Sequence, residues 1–211
     1  MKNLIIVGAR GFGREIYSTS FFCHGYNETF SVKGFLDDKK DALDYLGNYP
    51  PIIDSVENYV IQENDVFICA LGSVYYKKKY SEILLEKGGQ FINLIHKQAY
   101  LSDFATIGKG NILFKDVSIS NNVRLGDFNT LHQYVTTGHD TMIGNFTEIE
   151  TSVFLGGSTV VEDMVTLHTG AIIMPHVKIE NNATVGAGSV VIRKVKSGTT
   201  VFGNPAKILK Y

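Results

Sequence analysis

Aliphatic residues recur at every sixth position through the second half of the chain. Stepping by six from Ile95 to Val191 lands on Leu101, Ile107, Leu113, Ile119 and their successors. Sixteen of these seventeen positions are aliphatic, and Thr137 is the exception. Two residues before each runs a second column of mostly small or β-branched side chains, among them Ala105, Val117, Val135, Val153, Ala171 and Ala183. Glycine often follows the aliphatic position, as at Gly108, Gly126, Gly138, Gly144, Gly156 and Gly186. A fixed period of six means one short strand and one corner per repeat, and three repeats close a triangular coil of about eighteen residues. The aliphatic column then stacks inside the prism, and small residues or glycine permit the corners. Ordinary strand alternation has period two and does not account for the glycines. The pattern predicts a left-handed parallel β-helix of the hexapeptide kind over residues 93–196, with a tail at 197–211.

The first 92 residues follow another rule, in which strand-like and helix-like stretches alternate as in an α/β unit. Strands are expected at Leu4–Val7, Val32–Leu36, Val66–Leu71 and Phe91–Ile95. Helices are expected at Gly11–Phe22 and Tyr75–Lys87, the second with Tyr76, Tyr80, Ile83 and Leu84 at helical spacing and Gly88-Gly89 closing it. The stretch from Lys39 to Asn64 reads as irregular, with Pro50-Pro51 at a turn. This is about half of a full dinucleotide-binding domain, a half-Rossmann unit.

The composition, 44% hydrophobic and 19% charged, suits a globular chain with a real core. A formal net charge of -1 argues against a general nucleic-acid binder. Cys23 and Cys69 are the only cysteines, and Cys69 sits in an apolar run, so buried thiols are expected rather than a disulfide or a metal site. No apolar run approaches the length of a membrane span, and the N-terminus lacks a signal-like segment. A cytoplasmic protein with no membrane insertion is the expectation.

An eighteen-residue coil turns sequence distance into stacking. His139 lies two positions after an inward residue and should point outward, with Gly157 one coil above it. Thr169 and Ala187 form a second such pair on another face. Prism faces of this kind pack in trimers, which leaves grooves between subunits. A histidine titrating near neutrality can take a proton from an attacking amine or hydroxyl. Asp140 is placed to fix its tautomer, and a glycine N–H at Gly157 could face a developing oxyanion. Any one of the six histidines is more often a surface residue than a base. His24 belongs to the end of the first helix, and His132, His168 and His176 also lie in the coil. His139 is set apart because Gly138-His139-Asp140 follows the one defective core position, Thr137.

In the first half, Gly8-x-x-Gly11-x-Gly13 follows a strand and opens a helix. Such a turn lets backbone approach phosphates at a helix N-terminus, although it also fits a purely structural role. The spacing is not that of typical dinucleotide binders, and a mononucleotide diphosphate suits it better than NAD. Asp37 and Asp38 end the second strand, where one of them could accept from a base, a ribose or a sugar amine. Gly72-Ser73 flanks the same crevice.

Taken in order, Gly8-Ala9-Arg10-Gly11-Phe12-Gly13, Phe35-Leu36-Asp37-Asp38, Ala70-Leu71-Gly72-Ser73, Asn93-Leu94-Ile95-His96-Lys97, Gly138-His139-Asp140 and Phe202-Gly203-Asn204-Pro205-Ala206-Lys207 resemble a known family. It is the two-domain sugar acyltransferases that include sialic acid O-acetyltransferases and the UDP-4-amino-sugar N-acetyltransferases of bacillosamine synthesis. The resemblance covers nearly the whole chain. It implies acetyl transfer from acetyl-CoA to the amino group of a nucleotide-linked sugar, in a homotrimer, with no metal. It implies that His139 is the general base and Asp140 its helper, and that Gly157, Thr169 and Ala187 contact acetyl-CoA. The ending that carries Lys207 would close over the CoA. It places the nucleotide sugar at Gly8, Gly11, Phe12, Gly13, Asp37, Asp38, Gly72 and Ser73, with its amino group reaching His139. Arg10, where relatives often have a small residue, would either add a phosphate contact or be solvated. Relatives often carry an acetyl-CoA-contacting histidine nine residues after the base. Here that position is Glu148, which cannot donate a hydrogen bond while ionised. The competing readings are O-acetylation of a sugar hydroxyl and a non-catalytic nucleotide-sugar-binding β-helix. A nicotinamide-dependent reductase is disfavoured by the short first domain.

Overall fold

A computed structural model describes residues 1–209. The chain divides into two compact units, the first spanning Met1–Lys97 and the second beginning at Gln98. Among the described residues no helix is long and apolar enough to cross a membrane.

The first unit is a parallel sheet with two helices. Its strands are β1 (Lys2–Val7), β2 (Phe30–Leu36), β3 (Ile52–Asp54), β4 (Asp65–Cys69) and β5 (Gln90–Phe91), in the order β3-β2-β1-β4-β5. The helices are α1 (Gly11–Ser20) and α2 (Val74–Glu86). Leu4, Ile5, Ile6 and Val7 are all buried, as expected of a central strand covered on both faces. Three differences from the expected elements have local causes. The irregular stretch at 39–64 contains β3, too short for its pattern to register, which pairs with Phe35 and Leu36 of β2. The strand expected at 91–95 is broken after Phe91, and Leu94–Ile95 is a separate two-residue strand. Helix α1 stops at Ser20, so Cys23 can bridge to His96. Gly88, at φ +87°, follows α2 as expected.

The second unit is a coil of two-residue strands. Each ends on a position of the six-residue series, from Tyr100–Leu101 to Val190–Val191. Successive coils pair in parallel eighteen residues apart, as in Arg124↔Met142↔Val160↔Lys178. The aliphatic column fills the interior, and Thr137 is buried with it, its hydroxyl accepting the Ser120 N–H at 3.1 Å. Polar members of the second column are satisfied between coils. Asn111 Oδ1 accepts the Asn129 N–H at 2.8 Å, and Asn129 Oδ1 accepts the Thr147 N–H at 2.9 Å.

The corners depart from the expectation that glycine and small residues would form them. The left-handed conformation falls on three columns held largely by other residues, including Phe128, Tyr134, Asp140, Met164 and His176. A bulky residue there costs roughly 1–2 kcal/mol, an outlay offset by the coil-to-coil ladder. The glycines after the aliphatic column serve close stacking instead. A Cβ on Gly138 would collide with the backbone of Gly157. After the last full coil, Thr200–Phe202 adds in parallel to Thr184–Val185 and turns back as Lys207–Ile208. Lys210 and Tyr211, the end of the expected tail, lie outside the described residues.

Candidate active site

In the first unit the chain leaves β1 and passes to β2 on one side, while β4 lies on the other. This is the reversal point at which open parallel sheets bind ligands, beyond the strands' carboxyl ends. The loops after β1, β2 and β4 and the first turns of α2 enclose a cavity of ≈ 490 Å³ there. Gly8, Arg10, Phe12, Gly13, Asp37, Asp38, Gly72 and Ser73 all line it.

Gly8 adopts φ +97°, and a Cβ there would stand 2.8 Å from Leu71. A Cβ on Gly13 would collide with the Gly8 carbonyl, so Gly13 sets how closely α1 approaches β1. Gly11 does not line the cavity. It faces solvent on the first turn of α1, where a Cβ would meet only the Arg14 guanidinium at 3.9 Å. Arg10, exposed, precedes the helix, whose first turn carries no acidic residue to offset its positive end.

The two aspartates differ. Asp37 accepts the Ala9 N–H on one oxygen and the Lys39 N–H on the other, both at 2.9 Å, so it ties the glycine loop to β2. Asp38 takes the Tyr80 hydroxyl on Oδ2 at 3.1 Å. Burial, and then the hydrogen bond to Asp38, push the Tyr80 phenol up to about 12, which keeps it a donor at neutral pH. Tyr80 stacks on Tyr76, ring centroids 6.3 Å apart, and both line the cavity together with Val56. The sequence reading missed these tyrosines as site residues because their helical spacing looks like core packing. The available signal was two aromatics one turn apart just after Gly72-Ser73.

In the second unit the His139 side chain is 68% exposed, and its Nδ1 lies 2.6 Å from Asp140 Oδ2. An ionised carboxylate only accepts, so Nδ1 is the donor of this pair, and in the neutral ring Nε2 is left with the lone pair. Hydrogen bonds from His139 and then Asn122 hold the Asp140 carboxyl below the usual range. A Cβ built on Gly157 would lie 2.9 Å from His139 Nε2, so that nitrogen stands directly against Gly157. The Gly157 N–H donates to no acceptor among the described residues.

The other expected residues are placed as follows. Glu148 is buried, its carboxylate 2.8 Å from His132 Nε2, and the His132 ring stacks on Phe114. Thr169 gives both its N–H and its hydroxyl to Glu150 Oε2 at 3.0 Å, while its carbonyl accepts from Gly188. Burial raises the Glu150 carboxyl, but hydrogen bonds from Thr169 and His168 carry it below its ordinary value. Ala187 is exposed, with its N–H and carbonyl both unengaged among the described residues. Lys207 is exposed on the returning strand of the tail.

Residues 3–84 match the PglD N-terminal domain family, and residues 158–193 match the bacterial transferase hexapeptide family of six repeats. The first unit thus carries a PglD-type N-terminal domain, and the coil carries transferase hexapeptide repeats. Every residue lining the cavity falls within the first match, while His139 lies between the two. The acetyltransferase domain of PglB from Neisseria gonorrhoeae superposes with a TM-score of 0.88 at 26% identity, covering 99% of this chain and all of that one. The same domain in complex with acetyl coenzyme A gives 0.87 at 25% identity, covering 99% of each chain. PerB from Caulobacter crescentus, solved with CoA and GDP-perosamine, shares the fold at a TM-score of 0.80 and 21% identity, covering 100% of this chain and 98% of that one. An uncharacterized protein, L142 of Acanthamoeba polyphaga mimivirus, is 32% identical over 80 residues, a match spanning 38% of this chain and 16% of that protein. With these relatives, the half-Rossmann unit and the left-handed hexapeptide coil stand as the fold of this chain.

Proposed function

We propose that this transferase moves an acetyl group from acetyl-CoA to the amino group of a nucleotide-linked amino sugar, with His139 as general base. The observation that carries the reading is the His139–Asp140 pair, with its free Nε2 set against Gly157. The sugar nitrogen attacks the thioester carbonyl, and Nε2 takes the proton that the nitrogen loses. The developing oxyanion faces the unengaged Gly157 N–H. The C–S bond then breaks, and the proton passes from the imidazolium to the leaving thiolate, which departs as free CoA. Asp140 keeps the imidazole in the required tautomer throughout.

The first unit takes the nucleotide diphosphate, its phosphates at Gly8, Gly13 and Arg10. The second takes the acyl donor, with the exposed backbone of Ala187 and the tail carrying Lys207 as contacts. The PglB domain solved with acetyl coenzyme A and PerB solved with CoA and GDP-perosamine support this pair of ligands. The protein acts as a homotrimer. Tyr100, Phe154 and Ile172, exposed on one face of the coil, are the apolar surface that copies would cover.

The test is a thiol-release assay with acetyl-CoA against a panel of nucleotide-linked 4-amino sugars. Release with at least one amino sugar, absent with its deaminated counterpart, is the expected result. No release with any of them would overturn the reading.

A further inference from the structure

Pro175 is the one proline between residues 93 and 196, and it stands eighteen residues after Gly157, one coil above it. From the bottom upward this corner column runs Asn121, His139, Gly157, Pro175. Among the described residues the backbone N–H groups of Asn121, His139 and Gly157 have no acceptor. Proline has no N–H, so the row of donors ends directly above Gly157. The upper coil is also held close. A Cβ on Gly156 would stand 2.5 Å from the Pro175 nitrogen and 2.7 Å from its Cδ, and the His176 N–H donates to the Gly157 carbonyl at 3.0 Å. Met174 follows Gly138 and Gly156 in the neighbouring column, and both Met174 and Pro175 are exposed.

The reacting carbon carries four groups once the amine has added, and the column leaves each of them one direction. The nitrogen must face His139 Nε2 to give up its proton, and the oxygen must face the Gly157 N–H. Sulfur bears the long pantetheine arm, which has to run out into solvent. The acyl carbon is therefore the group turned upward, toward Pro175 and Met174. With coils about 4.8 Å apart, a methyl over Gly157 meets the pyrrolidine ring near ordinary contact distance, about 4 Å. Further carbons find the ring in their way and must displace Met174. The missing N–H matters as well, since a donor one coil higher would offer the oxygen a second register, away from His139.

We infer that Pro175 and Met174 form the acyl subsite and restrict transfer to a two-carbon acyl group. This deepens the proposed function and rests on it. The bonds made and broken are those given above; what is added is the pair of side chains that sets the length of the acyl chain.

The experiment is a competition between acetyl-CoA and butyryl-CoA for the full chain, with the panel of nucleotide-linked 4-amino sugars as acceptors and the acylated products counted by mass spectrometry. Wild type, Met174→Ala and Pro175→Ala are compared, and thermal melts check that each is folded. Wild type should favour acetyl at least about 100-fold, since each excess methylene in a closed subsite costs tenfold or more. Met174→Ala should bring the acetyl-to-butyryl ratio to within about tenfold, because it opens the space beside Gly156. Pro175→Ala removes two ring carbons and restores an N–H, and should move the ratio in the same direction. A merely structural role would slow both donors alike and leave the ratio where it was, and that result would overturn the assignment. Equal use of the two donors by wild type would overturn it while leaving acetyl transfer standing. Absence of transfer from either donor to any sugar of the panel would remove this inference together with the proposed function.

Discussion

Asp140 accepts a hydrogen bond from His139 at 2.6 Å while occupying a left-handed corner of the coil at φ +57°. One residue thus meets two demands. Aspartate and asparagine tolerate that backbone conformation better than most side chains, and the short carboxylate reaches back to the neighbouring ring. Asn122, one coil below at φ +60°, donates to the other Asp140 oxygen at 3.1 Å.

The first prediction follows from that division. His139→Ala should lower turnover by on the order of 100- to 10,000-fold without unfolding the coil, because the ring is exposed and leaves no cavity. Asp140→Asn keeps the corner and an acceptor but loses the charge, and should cost about tenfold. Steady-state rates at saturating acetyl-CoA and neutral pH are the measurement. If His139→Ala runs within about threefold of wild type, His139 is not the base.

Gly157 supplies a second and sharper test. Its φ lies outside the left-handed region, so alanine is acceptable to the backbone, but the new methyl would press on His139 Nε2. Gly157→Ala should therefore reduce turnover about 100-fold, as a misplaced base does, with stability changed by less than about 1 kcal/mol. In a His139→Ala background the same substitution should cost little more, since the ring it displaces is gone. Full additivity of the two losses would show that Gly157 acts independently of the ring.

The coil was legible because its period forces one residue type onto one side of every strand, and the strands end on the aliphatic series from Leu101 to Val191. Register alone put His139 outside and Gly157 above it. The corners were not legible, because Phe128, Tyr134 and Met164 are residue types that argue against a positive φ. Only the ladder between coils holds them there. The Asn111–Asn129–Thr147 ladder was hidden for a related reason, since its partners lie a full coil away in sequence. In the first unit the three loops could be placed at one crevice from strand order. The unequal roles of Asp37 and Asp38 depend on which backbone amides fold back on them, and no local pattern encodes that.

The glycine loop gives a contrast between two near neighbours. Gly13→Ala drives a methyl into the Gly8 carbonyl and should push α1 off the sheet, costing about 1–3 kcal/mol and weakening nucleotide binding. Gly11→Ala adds a methyl in open space on a helical turn and should stabilise by about 0.5–1 kcal/mol. Urea unfolding of the two variants reads the opposite signs. Equal destabilisation would mean that both glycines are needed for backbone conformation alone.

Asp65 carries the last prediction. Its side chain is wholly buried and accepts from Tyr59 Oη at 2.7 Å, from Lys33 Nζ at 2.9 Å and from the Gln62 N–H at 2.8 Å. Burial alone would raise its carboxyl. The hydrogen bonds from Tyr59, Lys33 and Gln62, with the Lys33 charge, outweigh burial and lower it instead. A carboxyl held lower in the folded chain than in the unfolded one stabilises fully above the unfolded value, about 4. That stabilisation is lost as pH falls through the folded value. Asp65→Asn should cost about 2–4 kcal/mol at pH 7, since an amide can satisfy only part of the network and leaves Lys33 without its counter-ion. The gap from wild type should hold from pH 7 to about 5 and shrink as pH drops below about 4, where wild type gives up the same charge. Hydrogen exchange of the β1 and β4 amides across that range would report the first unit directly, and a gap that stayed constant down to pH 3 would show that the carboxylate's charge is not what stabilises it.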